Sequence, residues 1–266
     1  MSGSVRVNAR RWISAAMAAM LLPVAVGCGR ESRRVAPEAK PVEPTLTGLD
    51  AHLQYTNRWI ENSNLNLMTP EATFLRAAIE SMARAAFAPG EGMAAIEAGG
   101  YPGIGRAFND SADPAVVAGN GNKDIVVVGT DYWEVIDFQR NGDQFSAVVC
   151  NYESMTALKV GDGLVSWGRN LPNGHAVTLA FGEDPHLSRD AQQAPKANQR
   201  GDGRAPIVNV FGTWVMTEFR NYNLQQKFPQ CGTTLAPGTP ADAPDHRYYP
   251  KTPPPTLPPS PGWPSG

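Results

Sequence analysis

The chain has 266 residues, 42% of them hydrophobic, with 25 acidic and 23 basic side chains and a net charge near −2. That is enough apolar residue for a domain with a real core, and too little positive charge to neutralise a phosphate backbone, so nucleic acid is excluded as a partner. Three cysteines exclude a disulfide-dense miniature scaffold, and many of the 24 prolines crowd into the C-terminal end.

Residues 1–27 read as an export signal. Arg6, Arg10 and Arg11 charge its first segment with no acid to offset them, and Ile13 to Val26 is an apolar run broken by Pro23. The run is shorter than the ~20 residues that span a bilayer, which makes it a signal core rather than a membrane helix. It ends in Ala25-Val26-Gly27-Cys28, and here the sequence resembles a bacterial lipoprotein signal. The resemblance implies cleavage before Cys28 and acylation of its sulfur with palmitate-type chains. The chain would then sit on the extracytoplasmic face of the cell membrane. Two or three acyl chains hold a protein stably at a bilayer, where one is marginal. Residues 28–44 are charged and proline-bearing, and read as a flexible tether.

A domain is predicted over residues 45–234, opening with helices. Leu49, Leu53, Thr56 and Ile60 recur at helical spacing, with Tyr55 and Trp59 widening the apolar face. A second start is clearer. Thr69-Pro70-Glu71 supplies an N-cap, a proline at the first helical position and an early carboxylate. Phe74, Leu75, Ala78, Ile79 and Met82 then form one stripe, which Pro89-Gly90 terminates. A short third helix over Gly92 to Ala98 runs into a glycine-rich turn, "GGYPGIG".

Past residue 123 the pattern changes to strands. "DIVVVGTDYWEVIDFQ" and "QFSAVVCNY" flank "RNGD", and Asn-Gly between alternating apolar segments is a strong hairpin signal. With Asn141 and Gly142 as the loop, Phe138 would face Phe145, Ile136 would face Ala147 and Trp133 would face Cys150. Phe138, Ile136, Ala147 and Val149 then share one face, and Trp133, Val135 and Val148 the other. Both faces are apolar, so the hairpin is expected to be covered on both sides. Further strands are predicted at His175 to Phe181, Pro206 to Phe211 and Thr213 to Phe219, the last two hinged at Gly212. The polar stretch 182–204 lacks periodicity and reads as a long functional or mobile loop. Residues 235–266, ending "KTPPPTLPPSPGWPSG", read as a disordered proline-rich tail of extended polyproline geometry.

Helices first and an antiparallel sheet afterwards predict an α+β domain. "GDQFSAVVCNY", then a polar stretch, "IVNVFGTWVMTEF" and a following cysteine resemble actinobacterial, mycobacterial-type secreted lipoproteins with an NTF2-like (cystatin-like) domain, over roughly Leu49 to Cys231. The resemblance implies helices packed on a bent antiparallel sheet, often with a pocket between them. It also implies a disulfide from the cysteine ending an inner strand to one following the Gly-x-Trp strand. The matching residues are Cys150, Gly212, Trp214 and Cys231. With Cys28 lipidated, Cys150 and Cys231 remain as an even pair in an oxidising compartment. Their bridge is worth roughly 4 kcal/mol in the chain-entropy account.

Candidates for chemistry are sparse. The four histidines, His52, His175, His186 and His246, show no metal-ligand spacing, and neither a metal nor a cofactor is expected. Glu183, Asp184, His186 and Asp190 cluster in the long loop and read as solvated. Glu134 and Asp137 lie on the apolar hairpin, where burial would raise a carboxyl's pKa and suit it to act as a base. Both can equally point to solvent at the rim. Trp59, Trp133 and Trp214 form either a ligand box or plain core. Two function classes follow. The favoured one is a non-catalytic module that binds a cell-envelope partner or a small apolar ligand. The alternative is a small pocket enzyme of isomerase or hydratase type. What separates them is a pocket-facing Asp or His with a polar partner in hydrogen-bond reach.

Overall fold

The computed structural model describes residues 48–108, 112, 119, 125–168, 174–222 and 227–265. The signal, the tether and Cys28 lie outside them. Among the described residues the fold is α+β, with seven strands and four helices. Strands are β1 (Leu53–Ile60), β2 (Ile125–Asn141), β3 (Gln144–Tyr152), β4 (Thr156–Val160), β5 (Gly163–Ser166), β6 (Gly174–Gly182) and β7 (Val215–Tyr222). Helices are α1 (Pro70–Ala85), α2 (Met93–Gly99), α3 (Ile104–Ala107) and α4 (Pro229–Thr233). No helix among the described residues is long and apolar enough to cross a membrane.

The sheet is organised by β2. Its 17 residues pair in parallel with β1 on one edge. Since β1 covers Val127 to Glu134, β3 and β4 lie end to end along the other edge. The sheet continues from β3 through β6 to β7, and from β4 to β5, all antiparallel. A parallel pair needs a long crossover. Here α1, α2 and α3 fall between β1 and β2.

β1 corrects the helix predicted from Leu49. Leu53, Tyr55, Asn57 and Trp59 alternate along it, and the intervening Thr56 is buried as well. Thr56 and the part-buried Ile60 of its second face fall at helical spacings from Leu53, so period alone does not separate strand from helix in so short a run. α1 forms as its sequence predicts. Thr69 Oγ1 accepts from Ala72 N at 3.3 Å and Pro70 occupies the first turn. Phe74 from its apolar stripe stacks on Phe181 of β6 at 4.8 Å between ring centroids.

The β2–β3 hairpin forms, but its register differs from the predicted one. Asn141 faces Gln144, so the loop residues are Gly142 and Asp143. Gly142 has φ +62° and Asp143 does not share a positive φ, which suits a turn with glycine at its first central position. The predicted loop would have required a positive φ at Asn141 as well. A bulge at Ile136 then shifts the register again, leaving Trp133 opposite Asn151. It also redistributes the faces. Trp133, Val135, Phe145, Ala147 and Val149 share the main core with Phe138 packed against it, while Ile136 packs on the other side. Both sides are covered away from the turn, while Asp137, Gln139 and Ser146 leave the second side exposed near it.

On that second side Cys150 of β3 is bonded to Cys231 of α4, 81 residues away, beside Tyr132, Tyr152, Met155 and Ala176. Strands β4 and β5 were not predicted. The segment 206–211 is not a strand. Val210 and Phe211 enter the core and Ile207 and Val208 are exposed, with Phe211 N bonded to Asn209 Oδ1 at 2.9 Å. Residues 182–204 contain only a short 3-10 turn, but are tied to α1 through Thr73 Oγ1 to Lys196 O (2.8 Å) and Arg76 Nη1 to Gln199 O (3.0 Å).

The largest correction concerns the tail. Residues 235–266 were predicted to be disordered, with the domain ending at 234. The described part belongs to the fold. Its proline-rich strap runs along the outer edge of β1, where Ser260 forms a parallel bridge with Arg58. The domain supplies the donors and the strap mostly carbonyls: Thr130 Oγ1 to Pro255 O (2.7 Å), Thr56 Oγ1 to Leu257 O (2.6 Å), Trp59 N to Ser260 O (2.6 Å) and Arg76 Nη2 to Pro261 O (2.6 Å). Proline lacks a donor yet keeps its acceptor, so a polyproline chain can cover an edge without continuing a ladder. At its end Trp263 is 1% exposed. It exchanges two backbone bonds with Gly203 (2.8 and 2.9 Å), and its indole donates to Glu80 Oε2 at 2.9 Å.

Trp263→Ala should therefore destabilise the domain by about 3–5 kcal/mol, the usual cost of emptying a buried tryptophan site. For a chain of this size that lowers the thermal midpoint by roughly 10 °C. Truncation after Gly238 should do at least as much. A melt by circular dichroism in which both variants match the parent would return the strap to the status of a free tail.

Candidate functional site

A cavity of about 340 Å³ opens between α1 and the sheet. Ile79, Met82 and Ala83 of α1, with Phe87 beyond it, form one wall. Ile125, Val127, Asp131 and Trp133 of β2, Val177 of β6 and Phe219 of β7 form the other. The β2 residues are two apart, so the pleat sends them all to one face. The position they skip is Gly129, at φ +106°, where a Cβ would come within 2.3 Å of the Met155 carbonyl. Glycine there lets the chain turning from β3 to β4 pass close against β2.

Most of the lining is apolar, but one end carries a polar row built by strand register. Trp133 of β2, Asn151 of β3 and His175 of β6 are direct cross-strand neighbours. Asp131 stands two residues before Trp133, and Glu153 two beyond Asn151. Asn151 Nδ2 donates to Asp131 Oδ1 at 2.6 Å. The Trp133 indole is held by its Nε1 donating to Asn57 Oδ1 at 3.0 Å, and the His175 ring meets its edge at 6.1 Å between centroids.

Burial sets the charges here. Asp131 is 8% exposed, and desolvation holds its carboxyl well above the usual range, with the Glu153 carboxylate adding to the effect. The Asn151 amide and the Tyr132 backbone N–H work against the shift without reversing it. His175 moves the other way. Desolvation lowers its pKa, and the Glu153 carboxylate, 3.8 Å from Nδ1, opposes that only in part. Burial thus favours the uncharged form of both groups, the Asp131 carboxyl and the His175 imidazole. Such a pair can donate to and accept from a bound molecule.

The sequence candidates scatter. Trp133 lines the cavity. Trp59 does not; it stacks behind Trp133 at 6.1 Å and donates to Glu80 Oε1 at 2.8 Å. Trp214 lies in the core among Phe74, Phe145 and Phe181. Glu134, next to Trp133, is sent by the pleat to the opposite side, where it accepts from Tyr152 Oη at 2.7 Å and Asn62 Nδ2 at 3.2 Å. Asp137, past the bulge, is exposed and bonded to Gln139 at 2.9 Å. Neither is a base for this cavity. In the loop, Asp184 is engaged with Arg106 (3.1 Å) and His186 (3.2 Å), and among the described residues no group of three or more His, Cys, Asp or Glu side chains is placed to hold a metal ion.

Asp131, Asn151, Glu153 and His175 belong to no motif in the sequence. One signal was present. Asp131 shares the parity of Val127 and Trp133 within an otherwise apolar strand, which marks a carboxyl facing inward. Its partners come from other strands and carry no local signature. Compared with protein-family models, curated proteins and solved structures, the chain matches none.

The pH dependence of stability should follow these directions. An Asp whose folded pKa is raised contributes stability below its unfolded pKa, about 3.9, and loses it as pH rises toward the folded value. Asp131→Asn removes that loss. The melting temperature of the variant relative to the parent should therefore climb as the pH rises above about 4, as melts at three pH values would read. A difference independent of pH would contradict a raised Asp131 pKa.

Proposed function

We propose that the chain is a lipid-anchored extracytoplasmic protein, with an NTF2-like domain that binds a small, mainly apolar molecule without transforming it. The observation that carries the reading is the cavity itself, apolar along α1 and β2 and ended by the Asp131–Asn151–His175 row. Ligand sites have this character: largely hydrophobic walls with a few placed polar groups that fix orientation. The NTF2-like assignment draws on the α+β architecture and on a cavity between helix and sheet. The anchor draws on the signal ending at Cys28.

A second reading is kept for one reason. Asp131 is a buried carboxyl with a side-chain amide at 2.6 Å, and an acid in an apolar pocket can give up and retake a proton from a substrate. On that reading the protein is an isomerase or hydratase.

Protein purified natively from membranes and examined by native mass spectrometry should carry a small molecule of defined mass. Ala83→Trp, which fills the cavity from α1, should release it and weaken binding of an environment-sensitive dye at least tenfold. An empty native protein that binds no dye would remove the binding reading. Exchange of a carbon-bound hydrogen of the ligand in heavy water, lost in Asp131→Asn, would favour the enzyme instead. For the anchor, Cys28→Ala should move the protein from the detergent to the aqueous phase, or leave it uncleaved. A cleaved variant that still partitions into detergent would end the lipoprotein reading.

A further inference from the structure

The charge balance of the cavity restricts what it can take. Two carboxyls line it, Asp131 and Glu153, and among the described lining residues there is no lysine or arginine. Two guanidinium groups lie close by but are committed elsewhere. Arg84 bonds the Gly99 carbonyl and Asp50, and Arg204 bonds the Leu53 and Tyr55 carbonyls. His175 is held toward its neutral form. A ligand with an anionic head would bury its charge beside two carboxyls and no counter-ion. Unpaired buried charge is the costliest contact a site can make.

A cation meets the opposite situation. A carboxylate has about four acceptor positions. Asp131 uses one for the Asn151 amide and one for the Tyr132 backbone, so acceptor capacity remains for a donor from the cavity. A charge-assisted bond from an ammonium group is shorter and stronger than a neutral one. Tyr55, Trp133 and Phe219 add aromatic rings to the lining, and ring faces attract cations, more strongly when desolvated. The apolar wall from Ile79 to Val127 supplies the rest of the contact.

We propose that the molecule held in this cavity carries a protonated amine on an apolar body, with Asp131 and Glu153 receiving the amine. This rests on the binding reading above and names the ligand class within it. A docked ammonium supplies the counter-charge that the buried Asp131 lacks and so favours its carboxylate form.

Three probes of one shape and different charge provide the test: octylamine, octanol and octanoate. Each is titrated into the non-acylated full chain and followed by amide chemical shifts in ¹H–¹⁵N spectra, which also report whether each variant is folded. Octylamine should bind at least tenfold more tightly than octanoate and several-fold more tightly than octanol. Asp131→Asn, near-isosteric and able to keep the Asn151 contact, should bring octylamine down to the octanol level. Glu153→Gln, at a more exposed position, should cost a smaller, few-fold loss. If octanol or octanoate binds as tightly as octylamine, or both variants leave octylamine unchanged, the amine is overturned while the cavity stands as a binding site. If none of the three binds, both readings fall together.

Discussion

Three elements far apart in the chain meet at the carboxylate of Glu80. Trp59 of β1 donates to Oε1 at 2.8 Å, and Tyr101, beyond α2, and Trp263, in the strap, donate to Oε2 at 2.7 and 2.9 Å. Arg76 lies one turn earlier on α1. Its guanidinium sits 4.4 Å from the centroid of the Trp263 ring and bonds the carbonyls of Gln199 and Pro261. Both charges are almost wholly buried, at 0% and 1% exposure. A buried carboxylate is tolerated only when its lone pairs are satisfied and a counter-charge is near. Burial pushes the Glu80 pKa up, while Arg76 and the three donors pull it back. Removing one partner would leave the others facing an undersatisfied charge, so the five residues hold one another in place.

That constraint reaches the cavity. Glu80 and Arg76 lie on the same helix as Ile79, Met82 and Ala83, which form the cavity wall. Trp59 stacks on Trp133, which lines the cavity and is itself held by Asn57. Asn57 O accepts from Ser260 N at 3.2 Å, and Thr130, beside Asp131, both donates to Pro255 O and accepts from Leu257 N at 2.9 Å. The strap thus touches neighbours of both walls without lining the cavity. A polar row inside an apolar cavity needs fixed positions to be selective, and a packed second layer provides them.

Several features were legible because they are local. The capped start of α1 and the two-sided hairpin rest on contacts within a few residues or on adjacent strands, and the cysteine pair on parity once Cys28 is set aside. The misread ones share a different property. β1 looks helical because Thr56 and Ile60, on its less buried face, fall at helical spacings from Leu53. The hairpin register turned on which glycine position the turn needed and on a bulge at Ile136 that leaves no sequence mark. Glu134 comes from the right strand with the wrong parity, and Asp137 shares the parity of Asp131 but lies past the bulge. Asp131 had the right parity, but its partners come from β3 and β6.

The sequence by itself determined the α+β class, the apolar stripe that α1 turns toward the sheet and, with Cys28 set aside, the pairing of Cys150 with Cys231, since each depends on local spacing or on counting. Only the tertiary structure decided that Trp263 belongs to the core and that Asp131, Asn151 and His175 form one site. Proline richness signals a chain unable to build its own hydrogen-bonded ladder, and that remains true of the strap. It says nothing about whether another part of the molecule presents donors to those carbonyls and a buried carboxylate to the indole. Here β1, β2 and α1 do both. Such complementarity between distant segments is a property of the folded surface, and no window along the chain contains it.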